Sequence, residues 1–173
     1  NASSEHYSDF LNISRPVANR AIAPTGTIGI IAGTTTGIEP IYATAYKRRF
    51  LDGTKWKYQY VVDPTAHRLI ESGVDPADIE DAYSLSYDVE RRIKFQSDIQ
   101  SYVDMSISST INLPPWGSRE NNENTVHKFA SVLAKYAPTL RGFTAYPDGS
   151  RGGQPLTEVS YTEATKHSGA VYE

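Results

Sequence analysis

Helix and strand signals alternate along the second half of the chain, and this alternation constrains the fold more than any other feature. Apolar residues at helical spacing predict a helix from about residue 88 to 104 and another that begins after Asn124. Each is followed by a short segment with strand character, 106–113 and 140–146, and each segment ends at a proline. Strands joined through helices run parallel, so the order favours an α/β fold with parallel strands.

Local punctuation predicts the elements that precede this alternation. Asp63 and Pro64 are a helix start, and Gly73 follows the end of that helix. Asp75-Pro76 repeats the same start and predicts a second short helix that runs to about Tyr83. Three aromatic residues alternate with polar ones after Asp52-Gly53, which predicts a β-hairpin with its turn at that dipeptide: Trp56, Tyr58 and Tyr60.

Composition excludes several classes of function. The chain has 173 residues and no cysteine, so one domain is expected, without disulfides or thiolate metal sites. The four histidines are scattered without ligand spacing, so no metal site is expected. A net charge of −3 argues against a nucleic-acid partner. No long apolar run or signal peptide is present, so we expect a cytoplasmic chain with no membrane partner.

The segment 24–45 is rich in glycine and threonine and contains the sharpest candidate site. Gly26 permits close approach of a ligand, while Thr25 and Thr27 offer hydroxyl groups. A helix that begins near Thr27 would present free N–H groups to a phosphate. The pattern is neither a P-loop nor a GxGxxG fingerprint. From the residues alone, a structural turn capped by threonine is the more ordinary reading.

Two further features near this segment admit a functional reading and a plainer one. Glu39 lies between Ile38 and Pro40 and could act as a base or contact a substrate, although acidic residues are common in turns. Lys47-Arg48-Arg49 could pair with a phosphate, although a solvated surface is the more ordinary role of such a charge run. Residues 1–60 hold seven Lys/Arg against four Asp/Glu, so this part is net basic.

Four segments, in order and at similar spacing, resemble the large catalytic chain of ribonucleotide reductase. They are Ala-Pro-Thr-Gly-Thr-Ile at 23–28, Thr-Gly-Ile-Glu-Pro at 36–40, Ser-Ile-Ser-Ser-Thr-Ile-Asn-Leu-Pro at 106–114 and Tyr-Pro-Asp-Gly-Ser-Arg-Gly-Gly at 146–153. The resemblance covers about residues 15–170 and is closest to the class II, adenosylcobalamin-dependent form. Residues 142–146 contain no adjacent tyrosine pair of the kind that iron-dependent members carry, which also favours class II.

The resemblance implies a fold, a reaction and site residues. The family fold is a ten-stranded α/β barrel, of which this chain would supply the C-terminal portion. The substrate phosphates would contact Pro24, Thr25, Gly26, Thr27 and Ile28, and the barrel interior beside them would be shaped by Gly37, Ile38 and Glu39. The reaction converts ribonucleotides to 2′-deoxyribonucleotides by radical chemistry, with adenosylcobalamin bound mainly outside this chain.

The family's thiyl radical forms on a cysteine, and this chain has none. Since the chain also lacks an initial Met, we expect a fragment that works with the N-terminal remainder of the reductase and supplies no catalytic residue. It divides into a polar arm, 1–14, a barrel part, 15–146, and a surface tail or tether, 147–173, with at most a helical turn near 161–167. Alternatives are a structural fragment or a stand-alone phosphate-binding module without catalysis.

Overall fold

The structure is a computed structural model that describes residues 2–150 and 156–173. Its helices are α1 (Ala2–Leu11), α2 (Gly26–Ala32), α3 (Pro64–Glu71), α4 (Ala82–Leu85), α5 (Val89–Gln100), α6 (Val126–Tyr136) and α7 (Tyr161–Lys166). Its strands are β1 (Ala45–Asp52), β2 (Lys55–Val62), β3 (Ile111–Leu113), β4 (Ala145–Pro147), β5 (Leu156–Glu158) and β6 (Val171–Tyr172). Single 3₁₀ turns lie at Pro76–Asp78 and Ala137–Thr139.

The strands form two separate sheets. One is a four-stranded antiparallel sheet in the order β5-β1-β2-β6, and the other is the parallel pair β3-β4. The predicted α/β class and a parallel pair after the helices are therefore found. The strands of the described residues do not close into a barrel, so this structure alone does not contain the ten-stranded barrel.

The hairpin and the first helix cap follow the sequence prediction. β1 and β2 pair from Ala45–Val62 to Asp52–Lys55 around Gly53, which has a φ of +62°. That left-handed conformation favours glycine and fits a tight hairpin turn. The Asp63 carboxylate accepts hydrogen bonds from the first-turn N–H groups of α3, as a cap does.

The helix predicted from Asp75 to Tyr83 is wrong. Asp75 and Pro76 begin only a 3₁₀ turn, and Ile79 then adopts an extended conformation. Asp81 starts a separate helix, α4, because its carboxylate accepts from the Ser84 N–H while the Ser84 hydroxyl accepts from the Asp81 N–H. The predicted cap Asn124 is also displaced, since α6 begins after Thr125.

Both strands predicted in the second half are shorter than expected. Within 106–113 only β3 is regular, and Ile107 forms one isolated parallel bridge with Ile22. The alternation that suggested a strand is nevertheless real, because Ile107, Ser109 and Ile111 are all buried. Strand β4 occupies only the end of 140–146. The buried face of α5, with Ile93 and Gln96 fully inaccessible, covers this part of the chain.

The two ends of the chain carry more regular structure than the sequence predicted. The arm, 1–14, contains the mostly exposed helix α1. The tail contains the helix α7 near the expected position, and also β5 and β6, which join the edges of the hairpin sheet. The last three residues of the fourth family segment, 151–153, lie outside the described residues. None of the described helices combines the length and apolarity that crossing a membrane requires.

Candidate functional site

The predicted phosphate loop runs over the surface into the start of α2. The Thr25 carbonyl accepts the first helical hydrogen bond, from the Gly29 N–H at 2.8 Å. The N–H groups of Gly26, Thr27 and Ile28 therefore belong to the first turn, which has no acceptor within its own helix. Pro24 and these residues are exposed, and a methyl group added at Gly26 would meet no atom within 4 Å. The loop is open to a ligand.

Thr25 is held in an unusual conformation by the second family segment. Its φ is +49°, in the left-handed region that β-branched residues rarely occupy. Its hydroxyl accepts a hydrogen bond from the Gly37 N–H at 3.1 Å. Gly37 itself has a φ of +55°, and an added Cβ there would lie 3.3 Å from the Ala23 carbonyl oxygen. The loop 24–28 and the turn 36–40 are thus one unit.

A cleft of about 350 Å³ lies beside this unit. It is bounded on one side by the two loop segments and on another by alternate residues of the buried strand-like segment, 106–113. Among the described residues that line the cleft, none is Lys or Arg, so an anion there would be held by N–H groups and hydroxyls. The lining is Pro24, Gly26, Thr36, Glu39, Pro40, Tyr42, Ala82, Ser108, Thr110 and Asn112.

Glu39 already uses both of its carboxylate oxygens within the protein. Oε1 accepts from the Thr110 backbone N–H at 2.6 Å, and Oε2 accepts from Arg92 Nη2 at 2.9 Å. Arg92 is only 4% exposed and also donates to the Ser109 hydroxyl. A carboxylate engaged in this way joins the turn 36–40 to α5 and to the segment 106–113. Glu39 is therefore poorly placed to act as a base, and of the two functional roles predicted for it the role of a base is not favoured.

The segment after Pro40 is fixed by the start of α4. The Asp81 carboxylate accepts from the Thr44 N–H at 2.9 Å, and the Ala82 N–H donates to the Ile41 carbonyl at 2.8 Å. The Tyr42 ring contacts Tyr46 edge to face, and burial raises the pKa of Tyr46 above its ordinary value. Tyr46 therefore stays neutral at physiological pH. These contacts fix the backbone around Tyr42 and Ala82, which both line the cleft.

Lys47, Arg48 and Arg49 lie on β1, outside the residues that line the cleft. Lys47 and Arg49 lie over the Tyr58 and Trp56 rings, and Arg48 donates to the Gln59 side chain at 2.9 Å. The run therefore makes contacts within the hairpin. The aromatic rings of β2 lie under these cations. This arrangement favours a role in packing the hairpin over a role as a platform on which a ligand stacks.

Residues 17–143 match the family model of the ribonucleotide reductase barrel domain. The chain belongs to this ribonucleotide reductase family. The match confirms the resemblance drawn from the four sequence segments, and it covers both loop segments of the site and the segment 106–113. It does not by itself assign a role to any residue of the cleft.

Several curated relatives of this chain are named as dependent on vitamin B12. Two, named vitamin B12-dependent ribonucleoside-diphosphate reductases, come from Mycobacterium tuberculosis strains CDC 1551 / Oshkosh and ATCC 25618 / H37Rv. They are 28% and 29% identical over 81% and 79% of this chain. A putative adenosylcobalamin-dependent ribonucleoside-triphosphate reductase of Mycobacterium phage D29 is 29% identical over 90% of this chain. The chain spans only 22%, 21% and 26% of these relatives.

A solved structure shows the same fold for the reductase chain. The crystal structure of a B12-dependent class II ribonucleotide reductase superposes with a TM-score of 0.65 at 16% identity. The superposition covers 96% of this chain and 24% of the other. The arrangement of helices and sheets described above is therefore that of a portion of a larger reductase fold.

Sequence reasoning found the two loop segments of this site but missed what holds them. Arg92 carried no signal as a site residue, because it lies within a predicted helix among other charged residues. Its partner Glu39 is 53 positions away along the chain. The sequence offered one hint that Arg92 is buried: it lies on the apolar face of α5, three residues after Val89 and directly before Ile93.

Proposed function

We propose that this chain supplies the substrate phosphate loop of a B12-dependent ribonucleotide reductase, which converts ribonucleotides to 2′-deoxyribonucleotides by radical chemistry. The observation that carries the proposal is the exposed start of α2 at the rim of the cleft. There the free N–H groups of Gly26, Thr27 and Ile28 lie beside a glycine with no side chain to block a ligand. The family match supports it because it includes this loop.

The geometry changes the part that each residue plays in the proposed contact. Gly26 and the N–H groups after it bind the phosphates directly. Thr27 can donate its hydroxyl, since it is exposed. The Thr25 hydroxyl already accepts from Gly37, so its acceptor side holds the loop and only its hydrogen remains for a ligand. Gly37, Ile38 and Glu39 then shape the cleft wall beside the phosphates.

The proposed enzyme contains the remainder of the reductase chain as the partner of this part. Within the complete barrel of ten strands, β3 and β4 would be two of the closing parallel strands. Apolar side chains exposed on α2 support an association, since Ile28 and Ile31 are 69% and 81% accessible. We propose a cytoplasmic location for this assembly.

The proposed cofactor of the whole enzyme is adenosylcobalamin, which supplies the initial radical when bound. Within residues 2–150 and 156–173, no three His, Cys, Asp or Glu side chains come together as a metal-ligand set. We therefore assign none of these residues to the cofactor's metal. Because the chain has no cysteine, we expect the isolated chain to show no turnover with a ribonucleotide, a dithiol and adenosylcobalamin.

Substitution of Gly26 in the assembled reductase tests the phosphate loop. A Cβ added at Gly26 would meet no atom within 4 Å, so Gly26→Ala should keep the stability of the fold, and the side chains of alanine and valine would both enter the space of the phosphates. We expect KM for a ribonucleoside di- or triphosphate to rise, and to rise more for valine. Gly53→Ala in the hairpin turn, outside the cleft, is the control for a general loss of stability: its φ of +62° strains an alanine, but KM should stay unchanged. An unchanged KM in Gly26→Val would refute the loop assignment.

A further inference from the structure

We propose that Arg92 is a positioning residue for the phosphate loop and acts through Glu39. The inference rests on the proposed function, because it concerns the loop 24–28 as a phosphate site. It adds a residue of α5 that none of the four family segments contains. It also states how that residue, buried away from the loop, sets the loop's conformation.

The first step is the burial of Arg92 and the fixed direction of its bonds. Its side chain is 4% exposed, while that of Glu39 is 28% exposed. A single nitrogen, Nη2, donates to Glu39 Oε2 at 2.9 Å and to the Ser109 hydroxyl. The other terminal nitrogen, Nη1, is buried and has no hydrogen-bond partner among residues 2–150 and 156–173. This orphan donor is costly for stability, and that is typical of sites where position matters more than stability.

The second step leads from Glu39 to the phosphate loop. The Glu39 N–H donates to the Thr36 carbonyl at 2.9 Å and closes the turn that contains Gly37. The Gly37 N–H in turn donates to Thr25 Oγ1 at 3.1 Å. Thr25 is the last residue before α2 and has the left-handed conformation that sets the direction of the first turn. Every link from Arg92 to the N–H groups of the loop is thus a hydrogen bond or one tight turn.

The third step explains why an arginine is needed. A guanidinium is planar and can hold two acceptors at fixed angles, whereas a lysine ammonium is a point charge on a flexible stem. Lysine at position 92 would keep the charge opposite Glu39, and its ammonium has donors enough for both acceptors, but its flexible stem would hold Glu39 and Ser109 at less defined angles. The turn 36–40 would then gain freedom, and the loop would bind phosphates with the same groups in a less defined arrangement.

The neighbouring residue provides a matched control. Arg91 Nη1 forms an ion pair with Glu80 at 2.6 Å, on the same helix and with the same chemistry. That pair is exposed, at 61% and 50%, and within the described part of the chain neither of its members forms a hydrogen bond with the turn 36–40. Exposed ion pairs contribute little to stability. Arg91→Lys therefore changes the helix and its charge pattern as Arg92→Lys does, but without altering the proposed connection.

The test measures steady-state constants in the assembled reductase for Arg92→Lys, Glu39→Gln, Arg91→Lys and Gly26→Ala. For Arg92→Lys we expect KM for the ribonucleotide, and the inhibition constant of inorganic pyrophosphate, to rise about tenfold. The value of kcat per assembled enzyme should stay within about twofold, because groups at the reacting ribose are untouched. A residue that only stabilises the fold would instead reduce the amount of assembled enzyme and leave KM as it was. Arg91→Lys should match the unaltered enzyme.

The outcomes separate this inference from the proposed function. If Gly26→Ala raises KM and Arg92→Lys does not, the positioning role is overturned and the phosphate loop stands. If Gly26→Ala leaves KM unchanged, the phosphate loop itself falls and the inference falls with it. If Arg92→Lys does not assemble, Glu39→Gln decides, since it keeps the size of the side chain but removes the charge and replaces one acceptor oxygen by an NH₂ donor, so that only one of the two hydrogen bonds can form. We expect its KM to rise about threefold. Failure of both variants to assemble would make Arg92 a folding residue and overturn the inference.

Discussion

The backbone N–H of Gly37 donates to the side-chain oxygen of Thr25 at 3.1 Å, and both residues have positive φ values, +55° and +49°. The bond therefore joins two left-handed points of the chain that are 12 residues apart, of which Thr25 is strained because its side chain is β-branched, whereas glycine adopts a positive φ readily. Strained backbone persists only where surrounding contacts support it, and it is frequent at binding sites. Here the supports are the turn closed by Glu39 and the close approach of Gly37 to Ala23.

Substitutions of Thr25 should separate two contributions to stability: the hydrogen bond from Gly37 and the cost of the left-handed backbone at Thr25. Thr25→Val keeps a β-branched side chain at positive φ but loses the acceptor, so we expect a loss of about 1 kcal/mol in the free energy of unfolding. Thr25→Gly loses the same bond but removes a conformational cost of about 1–2 kcal/mol, so it should be nearly neutral. Thr25→Ser retains the hydroxyl and is the control. Urea unfolding measures all three, and equal stability of the valine and serine variants would show that the bond contributes nothing.

Gly37 should be less tolerant of alanine than Gly53, although both have positive φ. In both cases alanine incurs the left-handed conformational cost of about 1–2 kcal/mol. At Gly37 the new Cβ would also lie 3.3 Å from the Ala23 oxygen and 3.5 Å from the Ser108 oxygen, whereas at Gly53 it would meet nothing within 4 Å. We expect Gly37→Ala to cost about 1 kcal/mol more than Gly53→Ala, since crowded backbone must shift. Thermal unfolding of the two variants compares them directly, and an equal loss would contradict the close approach.

Sequence reasoning succeeded where the determinants are local and failed where they are distant. The Asp63 cap and the hairpin turn at Gly53 depend on a few adjacent residues, so the local sequence predicts them. The strand over 106–113 was predicted from its alternation, but regular pairing also needs a neighbour. Within residues 2–150 and 156–173, only Ile22 and β4 provide such a neighbour. The connection between Glu39 and Arg92 depends on how α5 packs, which no short motif encodes.

The ion pair between α5 and α6 should make part of the stability dependent on pH. Lys135 Nζ lies 2.6 Å from Glu90, and its hydrogen bond lowers the pKa of Glu90 below the ordinary value of 4.5. A carboxylate with a lowered pKa stabilises the fold above its unfolded-state pKa, and this contribution is lost as pH falls through the folded-state pKa. Lys135→Met should therefore reduce the slope of unfolding free energy against pH below about pH 4.5.

The contrast between Lys135→Met and Lys94→Met controls for the removal of a positive charge. Lys94 forms its ion pair with Asp98 inside α5 at 2.6 Å, so its loss leaves the ion pair between α5 and α6 in place. Both variants lose one exposed cation, but only Lys135→Met removes a partner of Glu90. If the free energy of unfolding changed with pH equally in the two variants at acid pH, the Glu90–Lys135 pair would not link protonation of Glu90 to the packing of α5 on α6.

The tail, 147–173, should be ordered where it joins the hairpin sheet. That its other residues act as a tether remains a prediction. Strand β5 pairs with β1, the Val159 N–H donates to the Ala45 carbonyl at 3.1 Å, and Ala164 of α7 is fully buried. Such contacts offset ordering entropy that a solvated glycine-rich segment cannot recover. In hydrogen exchange on the assembled enzyme, we expect amides of 157–164 to be protected, though less than those of β3, because edge strands open more readily.

The Ser160→Ala variant removes the cap that accepts from the Glu163 N–H at 3.2 Å and should speed exchange in α7 alone. If 157–164 exchanged as fast as an unfolded peptide in the unaltered enzyme, the pairing of β5 with β1 would be wrong and the whole tail would be a mobile tether.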